Sequence, residues 1–344
     1  MSSDTPLVSI IVVNYNGDRY IGDCLDSLVN QTWANKEIIV VDNCSVDTSL
    51  SLLESQYRNC ITLVKNADNF GFAKGNNCGI VISKGRYIAT LNSDACAEKT
   101  WLEEMVFAIK ADENIGMVAS KIMLHNNRNS IDSVGVNIYP DCMSRQRGHL
   151  EIDSNKYSVV EEILLPSACA ALYRRSMLDE IGLFDEDFFM YCEDTDLGLR
   201  GRMHGWKAVL APQAIVQHRY SASAGKVSQL KAFYVERNHF WVAFKILPVS
   251  MLFRLPFYSI FRFAAQCLNM LFFSGKSLKA KQKTDTIGIA FSVLRAYFSM
   301  LYGIPAVIGK RKKIWNYKKI SSKEIRGLFK KYKLSVSQLF LDPL

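Results

Sequence analysis

Three runs of apolar, mostly β-branched residues near the start of the chain limit its possible folds most. They cover residues 7–14 (LVSIIVVN), 36–41 (KEIIVV) and 86–91 (RYIATL). Each run is too short for a typical helix and lacks the alternation of a half-exposed strand, so each predicts a strand buried on both faces. Segments with helical spacing separate the first strands. This β-α-β order predicts an α/β fold with a doubly wound, mostly parallel sheet.

Further along the chain the pattern is less regular. Residues 101–110 (WLEEMVFAIK) predict a helix and residues 115–120 a strand. Residues 121–160 are polar and predict an irregular loop region. Residues 163–174 predict a single strand and residues 175–181 a short helix.

Polar residues follow two of the buried strands. Asp42 ends the second strand, and Asp94 closes the Asn-Ser-Asp sequence after a later strand. Ligands of doubly wound sheets bind at the carboxyl ends of the strands, where a carboxylate can hold a divalent cation and a diphosphate. Capping of the next helix is the alternative for Asp42. Residues 66–79 (NADNFGFAKGNNCG) combine glycines and amides that suit a nucleotide pocket, although they match neither GxGxxG nor a P-loop.

An acidic segment lies between aromatic residues at 184–196. Carboxylates beside apolar bulk lose hydration, which raises their pKa values toward those of a general base. A helix is predicted to begin in this segment because acidic residues suit the first turn. The alternative is a solvated N-terminus of an amphipathic helix. The candidate carboxylates, among six acidic residues in this segment, are those of Asp187, Glu193, Asp194 and Asp196.

The charge is unevenly distributed along the chain. The net charge is +9, yet residues 245–344 hold 19 Lys and Arg against three Asp and Glu. This division predicts a catalytic domain over residues 1–244 and a basic helical region over residues 245–344. The nine cysteines include no CxxC pair, which favours free thiols in a reducing cytoplasm. No nucleic-acid reading motif accompanies the basic charge, so we expect no nucleic-acid partner.

The apolar parts of the basic region predict helices at a membrane surface. Residues 246–274 and 286–309 are interrupted by arginines and prolines, and their longest charge-free runs are 13 and 14 residues. A bilayer span needs about 20 apolar residues. We therefore expect amphipathic helices in the plane of an anionic membrane, peripheral on its cytoplasmic face, with Lys and Arg reaching lipid headgroups. A helical subdomain or a dimer contact is the alternative.

Several stretches in this order resemble the inverting glycosyltransferases of family 2, which have a GT-A fold. They are VSIIVVNYN, VVDNCSVD, NFGFAKGNN, LNSDA and RRSMLDEIGLFDEDFFMYCEDTDLGLR, followed by His218. The resemblance covers residues 6–242. Within the family the chain is similar to bacterial rhamnosyltransferases of surface-polysaccharide assembly, including lipopolysaccharide. Tyr234 and the Arg237-Asn238 pair support this narrower similarity.

The resemblance implies roles for individual residues. Asp194 would be the general base, with Glu193 and Asp196 as its acidic neighbours. Asp94 and His218 would bind Mg²⁺ or Mn²⁺, and Asn92 replaces the first acid of the family's metal-binding motif. Arg237 would add charge at the diphosphate or brace the acidic helix. The implied donor-binding residues are Asn14, Asn16, Asp42, Asn69, Gly71, Asn77, Asn92, Asp94 and Arg237.

The implied reaction is a single displacement that moves a sugar to a lipid-linked or glycan acceptor. The subgroup resemblance favours dTDP-rhamnose as the donor, with another sugar on a UDP donor as the alternative. A sugar nucleotidyltransferase would carry a Gly-rich basic loop after the first strand, and NYNGDRY does not fit that pattern. An inactive membrane scaffold is the non-enzymatic alternative. An oligomer is compatible with all of these.

Overall fold

The computed structural model describes residues 5–219, 228–273, 286–335 and 338. The chain divides into two compact units. The first comprises residues 1–136 and 146–223, and the second comprises residues 137–145 and 224–344. The predicted boundary between residues 244 and 245 instead falls within a helix of the second unit, Gln229–Ile246.

The first unit is built on a mixed sheet. Its strands run in the order β10-β12-β6-β11-β4-β1-β2-β3, with β5 paired to β12 and β7 paired to β6, while β8 and β9 pair separately. The first four strands, β6 and β12 run in one direction, and β5, β7, β10 and β11 run in the other. The doubly wound, mostly parallel GT-A-like sheet is thus confirmed. The strands are β1 (Val8–Asn14), β2 (Lys36–Asp42), β3 (Thr62–Lys65), β4 (Tyr87–Leu91), β5 (Ala95–Ala97), β6 (Ile115–Leu124), β7 (Asn127–Ser133), β8 (Val136–Ile138), β9 (Ser144–Gln146), β10 (Glu161–Ile163), β11 (Ala170–Arg174) and β12 (Lys207–His218).

Helices cover both faces of this sheet. In β1, Val8, Ile10 and Val12 join the core under α1, α2 and α4, whereas Ile11 joins the opposite core with α3 and α6. Burial on both faces is why the strand sequences read as continuous apolar runs. These helices are α1 (Ile21–Val29), α2 (Ser49–Gln56), α3 (Gly71–Ile82), α4 (Trp101–Lys110), α5 (Arg175–Ile181) and α6 (Glu193–Met203).

Two sequence predictions for this unit were wrong. The segment predicted to be irregular, residues 121–160, contains the end of β6 and the antiparallel β7. The polar residues of β7, among them Asp132, are buried because they find partners inside the protein. The single strand predicted over residues 163–174 is divided into β10 and β11, because the Ser167–Ala170 turn intervenes after Pro166.

The second unit is helical, as the apolar and basic composition predicted. Its longest helix packs on its first helix at Gly303, where a Cβ would lie 2.4 Å from the Trp241 ring. One helix, at 287–317, is long and apolar enough to cross a membrane, with a mean hydropathy of 1.5. The helices are α7 (Gln229–Ile246), α8 (Val249–Leu252), α9 (Leu255–Phe273), α10 (Thr286–Tyr317) and α11 (Ser322–Lys331).

A buried ion cluster organises the second unit. Arg262 of α9 donates to Asp141 at 2.7 Å and to Glu236 of α7 at 2.9 Å, and His239 lies beside them. All four side chains are fully buried. Arg262, which interrupts the apolar run of α9, therefore links α9 to α7 and to the loop that contains Asp141. The expectation that this side chain reaches a lipid headgroup was wrong.

Candidate functional site

Asp42 and Asn14 form one side of the candidate site, at the carboxyl ends of β2 and β1. The two residues are paired in register, and Asn14 Nδ2 donates to Asp42 Oδ1 at 2.8 Å. The Ser45 backbone N–H donates to the other carboxylate oxygen at 3.0 Å. Asp42 does not cap α2, whose N-cap is Thr48. The carboxylate is therefore held rigidly at the sheet edge where α/β proteins bind ligands.

Asn16 lies in the turn after β1 and closes the same corner. Its backbone is left-handed, with φ of 51°. Its backbone N–H donates to the Ser45 hydroxyl, and its Oδ1 accepts from the Val46 N–H at 2.8 Å. The two asparagines thus connect the loops that follow β1 and β2.

The glycine-rich segment holds the acidic segment in place. Gly71 begins α3 with φ of 74°, and Asn69 Oδ1 accepts from its N–H at 2.9 Å. The next two N–H groups, of Phe72 and Ala73, donate to the carbonyl of Phe189 at 2.7 and 3.1 Å. A Cβ on Gly71 would lie 2.5 Å from that carbonyl oxygen. Glycine is required both by the backbone conformation and by this close approach.

Asn77, on the same helix, makes a second connection to the acidic segment. Its amide donates to the Phe184 carbonyl at 2.8 Å and accepts from the Phe184 N–H at 3.1 Å. It also donates to Glu186 at 3.1 Å. The structure thus places Asn77 at the base of the acidic segment, and its predicted contact with a donor remains a prediction.

The backbone before α6 is tightly folded. Met190 N–H donates to the Phe188 carbonyl at 2.7 Å, which closes a three-residue turn around Phe189. Phe189, Tyr191 and Cys192 all have positive φ, at 63°, 65° and 65°. Such conformations cost about 1–3 kcal/mol each in non-glycine residues and are concentrated at functional sites. The turn brings the start of α6 into position.

Asp194, in the first turn of α6, has the environment of a general base. The side chain is half-buried, and its oxygens accept from the backbone N–H groups of Thr195 at 2.6 Å and Ala168 at 3.3 Å. Burial raises the pKa of Asp194, and these hydrogen bonds offset only part of that rise. Burial and the neighbouring Asp194 charge raise the pKa of Glu193 well above its usual range. Glu193 Oε2 is buried without a hydrogen-bond partner.

Asp196 has a structural environment. It is fully buried and pairs with Arg200 one turn later at 2.8 Å. The Arg200 guanidinium also donates to the carbonyls of Ile181, Gly182 and Leu183. This pair fastens α6 to the loop after α5.

Asp94 and His218 meet on the other side of the candidate site. His218 is the last residue of β12 and lies opposite Ala95 of β5. Its Nε2 is 3.3 Å from Asp94 Oδ1, and its Nδ1 is 2.6 Å from Asp132 Oδ2. Burial lowers the pKa of His218, but charge on Cys169 and hydrogen bonds to the two carboxylates outweigh it and raise the pKa well above its usual range.

The turn at Ser167–Cys169 connects these two groups. Ala168 donates its N–H to Asp194, and the Cys169 carbonyl accepts from the Asn92 N–H at 2.8 Å. Cys169 also acts electrostatically on His218 and raises the pKa of that histidine. One short turn therefore contacts the candidate base and the segment that leads to Asp94.

The residues around Asp94 fit a divalent metal that is shared with a ligand. Asn92 Oδ1 is buried and finds no hydrogen-bond partner among the residues that the structure describes. Amide and carboxylate oxygens are suitable ligands for Mg²⁺ or Mn²⁺, and an imidazole nitrogen suits the transition metal Mn²⁺ better than Mg²⁺. Within the part of the chain that the structure describes, no group of three or more His, Cys, Asp or Glu could hold a metal alone. Diphosphate oxygens would have to complete the coordination.

Arg237 belongs to α7 of the second unit. Its guanidinium donates to Asn238 Oδ1 at 2.8 Å and lies 4.1 Å above the Trp241 ring. Its predicted contact with a diphosphate remains a prediction.

Sequence reasoning missed Asp132 and the turn at Ser167–Cys169; the family resemblance placed Ser167 only at the wall of the acceptor site. The sequence signal for Asp132 was the pair of apolar residues that flank it at Ile131 and Val134. The surrounding stretch is too polar to predict a strand. The turn was hidden within residues predicted to form one continuous strand.

Comparison with protein families identifies one model that matches residues 9–182, described as glycosyl transferase family 2. An uncharacterised glycosyltransferase of Haemophilus influenzae is 37% identical over 33% of this chain. One of Rickettsia prowazekii is 28% identical over 56% of this chain. The matched regions span 36% and 58% of those relatives' own lengths. A poly(ribitol-phosphate) beta-glucosyltransferase of Bacillus spizizenii is 39% identical over 25% of this chain and 14% of its own.

Solved structures show the same fold at low identity. GalNAc-T7, solved with UDP, GalNAc and Mn²⁺, has a TM-score of 0.60 and 14% identity, over 89% of this chain and 58% of its own. The mannosyltransferase PcManGT from Pyrobaculum calidifontis, solved with GDP-Man and Mn²⁺, has a TM-score of 0.51 and 19% identity. That match covers 86% of this chain and 87% of the other.

Proposed function

Because this chain belongs to glycosyl transferase family 2, we propose that it transfers a sugar from a nucleotide sugar to a lipid-linked or glycan acceptor, in one displacement with inversion. The observation that carries this proposal is the Ser167–Cys169 turn. It contacts Asp194 through the Ala168 N–H and the Asn92–Asp94 segment through the Cys169 carbonyl. A base and a diphosphate-binding group that contact one short turn suit a displacement in which both reactants are held in line.

Asp194 takes the proton from the acceptor hydroxyl as that oxygen attacks the anomeric carbon. A raised pKa makes a carboxylate a stronger base, and positioned bases of this kind contribute about 10²–10⁴-fold to the rate. The N–H groups of Ala168 and Thr195 fix the orientation of the carboxylate. The preceding residue, Glu193, is a second acidic group and is buried. No covalent intermediate on the protein is needed.

The leaving nucleoside diphosphate is held at the opposite side. Asn92, Asp94 and His218 would hold a divalent metal, which when bound neutralises charge on the diphosphate. Asp42 and the two asparagines after β1 would contact the nucleoside. The remaining proposed donor contacts are Asn69, Gly71, Asn77 and Arg237.

The donor sugar is proposed from the subgroup resemblance to be rhamnose, carried by dTDP. Nucleotide sugars as a class are supported by the fold neighbours solved with UDP and with GDP-Man. Another sugar on a UDP donor is the second candidate. The beta-glucosyltransferase among the relatives acts on poly(ribitol phosphate) by its name, which favours an acceptor in polysaccharide assembly.

The helical unit supports a peripheral membrane location. Exposed apolar side chains line one side of α9 and one side of α10, and the basic Lys310–Lys313 sequence follows them. Apolar faces beside basic clusters suit an anionic bilayer surface. The exposed apolar side chains are Phe257, Ile260, Phe261, Phe291, Leu294, Phe298, Leu301 and Tyr302.

The packing of α10 favours a position in the membrane plane over a span. The helix rests on α7 through buried residues such as Ala296 and Met300, and Trp241 Nε1 donates to the Met300 carbonyl at 3.3 Å. A span would carry the ionic residues of α7, including Glu236, toward hydrocarbon, which is costly. Flotation with vesicles of anionic lipid and release by carbonate would support the surface location. Retention after carbonate would contradict it.

Nucleoside diphosphate release tests the transfer proposal. Purified protein would be offered dTDP-, UDP- and GDP-sugars with a membrane lipid extract, with and without Mn²⁺. The proposal predicts metal-dependent release with one donor class and a product of inverted anomeric configuration by NMR. A retained configuration would contradict single displacement. Folded protein that releases nothing with any donor, even with an acceptor-rich lysate, would favour the scaffold reading.

A further inference from the structure

On its buried side His218 contacts Asp132, a residue to which the transfer proposal assigns no role. Asp132 lies on β7, is 4% exposed, and places Oδ2 2.6 Å from His218 Nδ1. Its other carboxylate oxygen is 3.1 Å from Nδ1 of His149. The Asp132 carboxylate thus lies between two imidazoles and is held by His218, on the side of that ring that faces away from Asp94, while His149 also contacts the Asp132 backbone carbonyl at 3.1 Å.

We propose that Asp132 is a positioning residue: by accepting a hydrogen bond from Nδ1 of His218, it directs the Nε2 lone pair toward Asp94, where a divalent metal would bind. This inference rests on the proposed metal-assisted transfer. Imidazole ligands of metals generally donate their second N–H to a carboxylate or carbonyl, which fixes both the tautomer and the ring orientation. Loss of such a partner typically weakens metal affinity about 10–100-fold.

The local structure explains why the position requires a rigid acceptor. His218 ends β12, and the N–H of the next residue, Arg219, donates to the Asp94 carbonyl at 3.1 Å. The neighbouring strand β6 pairs with β7, so Asp132 is attached to the strand that runs beside β12. Two strands of one sheet therefore fix the distance between Asp132 and the histidine ring.

Mn²⁺ binding tests the inference without depending on turnover. Electron paramagnetic resonance would measure free Mn²⁺ during titration of the full chain in the presence of dTDP or UDP. We expect Asp132→Ala to weaken Mn²⁺ binding about 10–100-fold. Asp132→Asn, which keeps an acceptor oxygen without the charge, should lie between Ala and wild type. The matched control is Asp153→Asn, since Asp153 pairs with Lys121 in the same region, and its Mn²⁺ affinity should not change.

A second readout follows the histidine itself. ¹⁵N NMR of the metal-free nucleotide complex, at a pH where the ring is neutral, should show a proton on Nδ1 of His218 in wild type, and a mixture of tautomers in Asp132→Ala. If Asp132→Ala does not fold, the Mn²⁺ titration and the ¹⁵N NMR spectrum of Asp132→Asn test the inference instead. Folded variants with wild-type Mn²⁺ affinity and an unchanged tautomer would overturn the inference. Wild-type protein that transfers sugar but binds no Mn²⁺ would overturn the inference while leaving the transfer proposal in place.

Discussion

Glu193 and Asp194 are adjacent carboxylates in surroundings that favour their protonated forms. Both pKa values are raised, chiefly by burial. A carboxyl whose pKa is higher in the folded than in the unfolded state costs nothing below its ordinary value. As the pH rises from the ordinary pKa to the folded pKa, stability is lost because the unfolded state gives up its proton first, and above the folded pKa the loss is constant. The activity proposed for Asp194 thus carries a stability cost at neutral pH.

Glu193→Gln should stabilise the protein above the ordinary glutamate pKa of about 4.3. The amide removes a buried charge while it keeps the side-chain shape. We expect a gain of roughly 1–2 kcal/mol at pH 8 that disappears near pH 4, measured by thermal unfolding at both pH values. Asp187→Asn, in the exposed turn before α6, is the control and should show no such difference. An equal effect of Glu193→Gln on stability at both pH values would contradict a raised pKa for Glu193.

The positions of individual residues in the fold could be predicted where the residues adjoin a strong local sequence pattern. Asp42, Asp94 and Asp194 stand directly after buried strands or at a helix start, so their places in the fold follow from the sequence. Asp132 stands in a polar stretch, and its contact with His218 depends on strand pairing between distant segments. Such pairing is invisible in the local sequence.

At the scale of elements, the N-terminus of α3 and the turn around Phe189 form one supporting unit for the acidic helix. The N–H groups at the start of α3 are satisfied by the Phe189 carbonyl. Helix N-termini leave such donors without intrahelical partners. The glycine-rich sequence is therefore explained by its contact with the segment that leads to Asp194.

Gly71→Ala should damage both stability and activity. The new Cβ would meet the Phe189 carbonyl at 2.5 Å, and the residue would be strained at φ of 74°. We expect a loss of about 2–4 kcal/mol in unfolding free energy, with a fall in turnover at temperatures where the variant is folded.

Gly205→Ala is the matched control for this substitution. Gly205, just after α6, also has a positive φ, of 87°, but a Cβ there would meet no atom of the described residues within 4 Å. It should cost about 1–2 kcal/mol from backbone strain alone and leave turnover unchanged. Equal losses in the two variants, measured by thermal unfolding and by nucleoside diphosphate release, would mean that contact with Phe189 is unimportant.

The elements themselves could be predicted to different degrees. The buried parallel strands and the helices α4 and α5 follow from apolar periodicity and were predicted closely. The antiparallel β7 could not be predicted, since its exposed and polar residues carry little periodic signal. The division between β10 and β11 was missed because apolar residues continue through the turn.

At the scale of the whole chain, the uneven charge predicted a distinct basic part over residues 245–344, and the second unit includes these residues together with residues 137–145 and 224–244. Its buried ion cluster also includes Asp141, which comes from a loop far earlier in the sequence. Composition cannot show which distant loop joins a helical unit. For that reason the predicted division at residues 244 and 245 differs from the observed units.

Arg262→Met should destabilise the second unit strongly. The change leaves the buried carboxylates of Asp141 and Glu236 without their shared cation, which typically costs about 3–5 kcal/mol. Arg254→Met, at an exposed position, should change stability by less than about 0.5 kcal/mol. Hydrogen exchange of α7 would report the difference. Unaltered protection of α7 in Arg262→Met would show that the ion cluster does not hold this unit together.

The most direct test of the account as a whole compares Asp194→Asn with Asp187→Asn in single-turnover sugar transfer. Both changes convert an aspartate to its amide in the same acidic segment, but only the first removes the proposed base. The account predicts a rate loss of at least ~100-fold for Asp194→Asn, with folding intact, and a rate near wild type for Asp187→Asn. Transfer by Asp194→Asn at the wild-type rate would contradict the central claim.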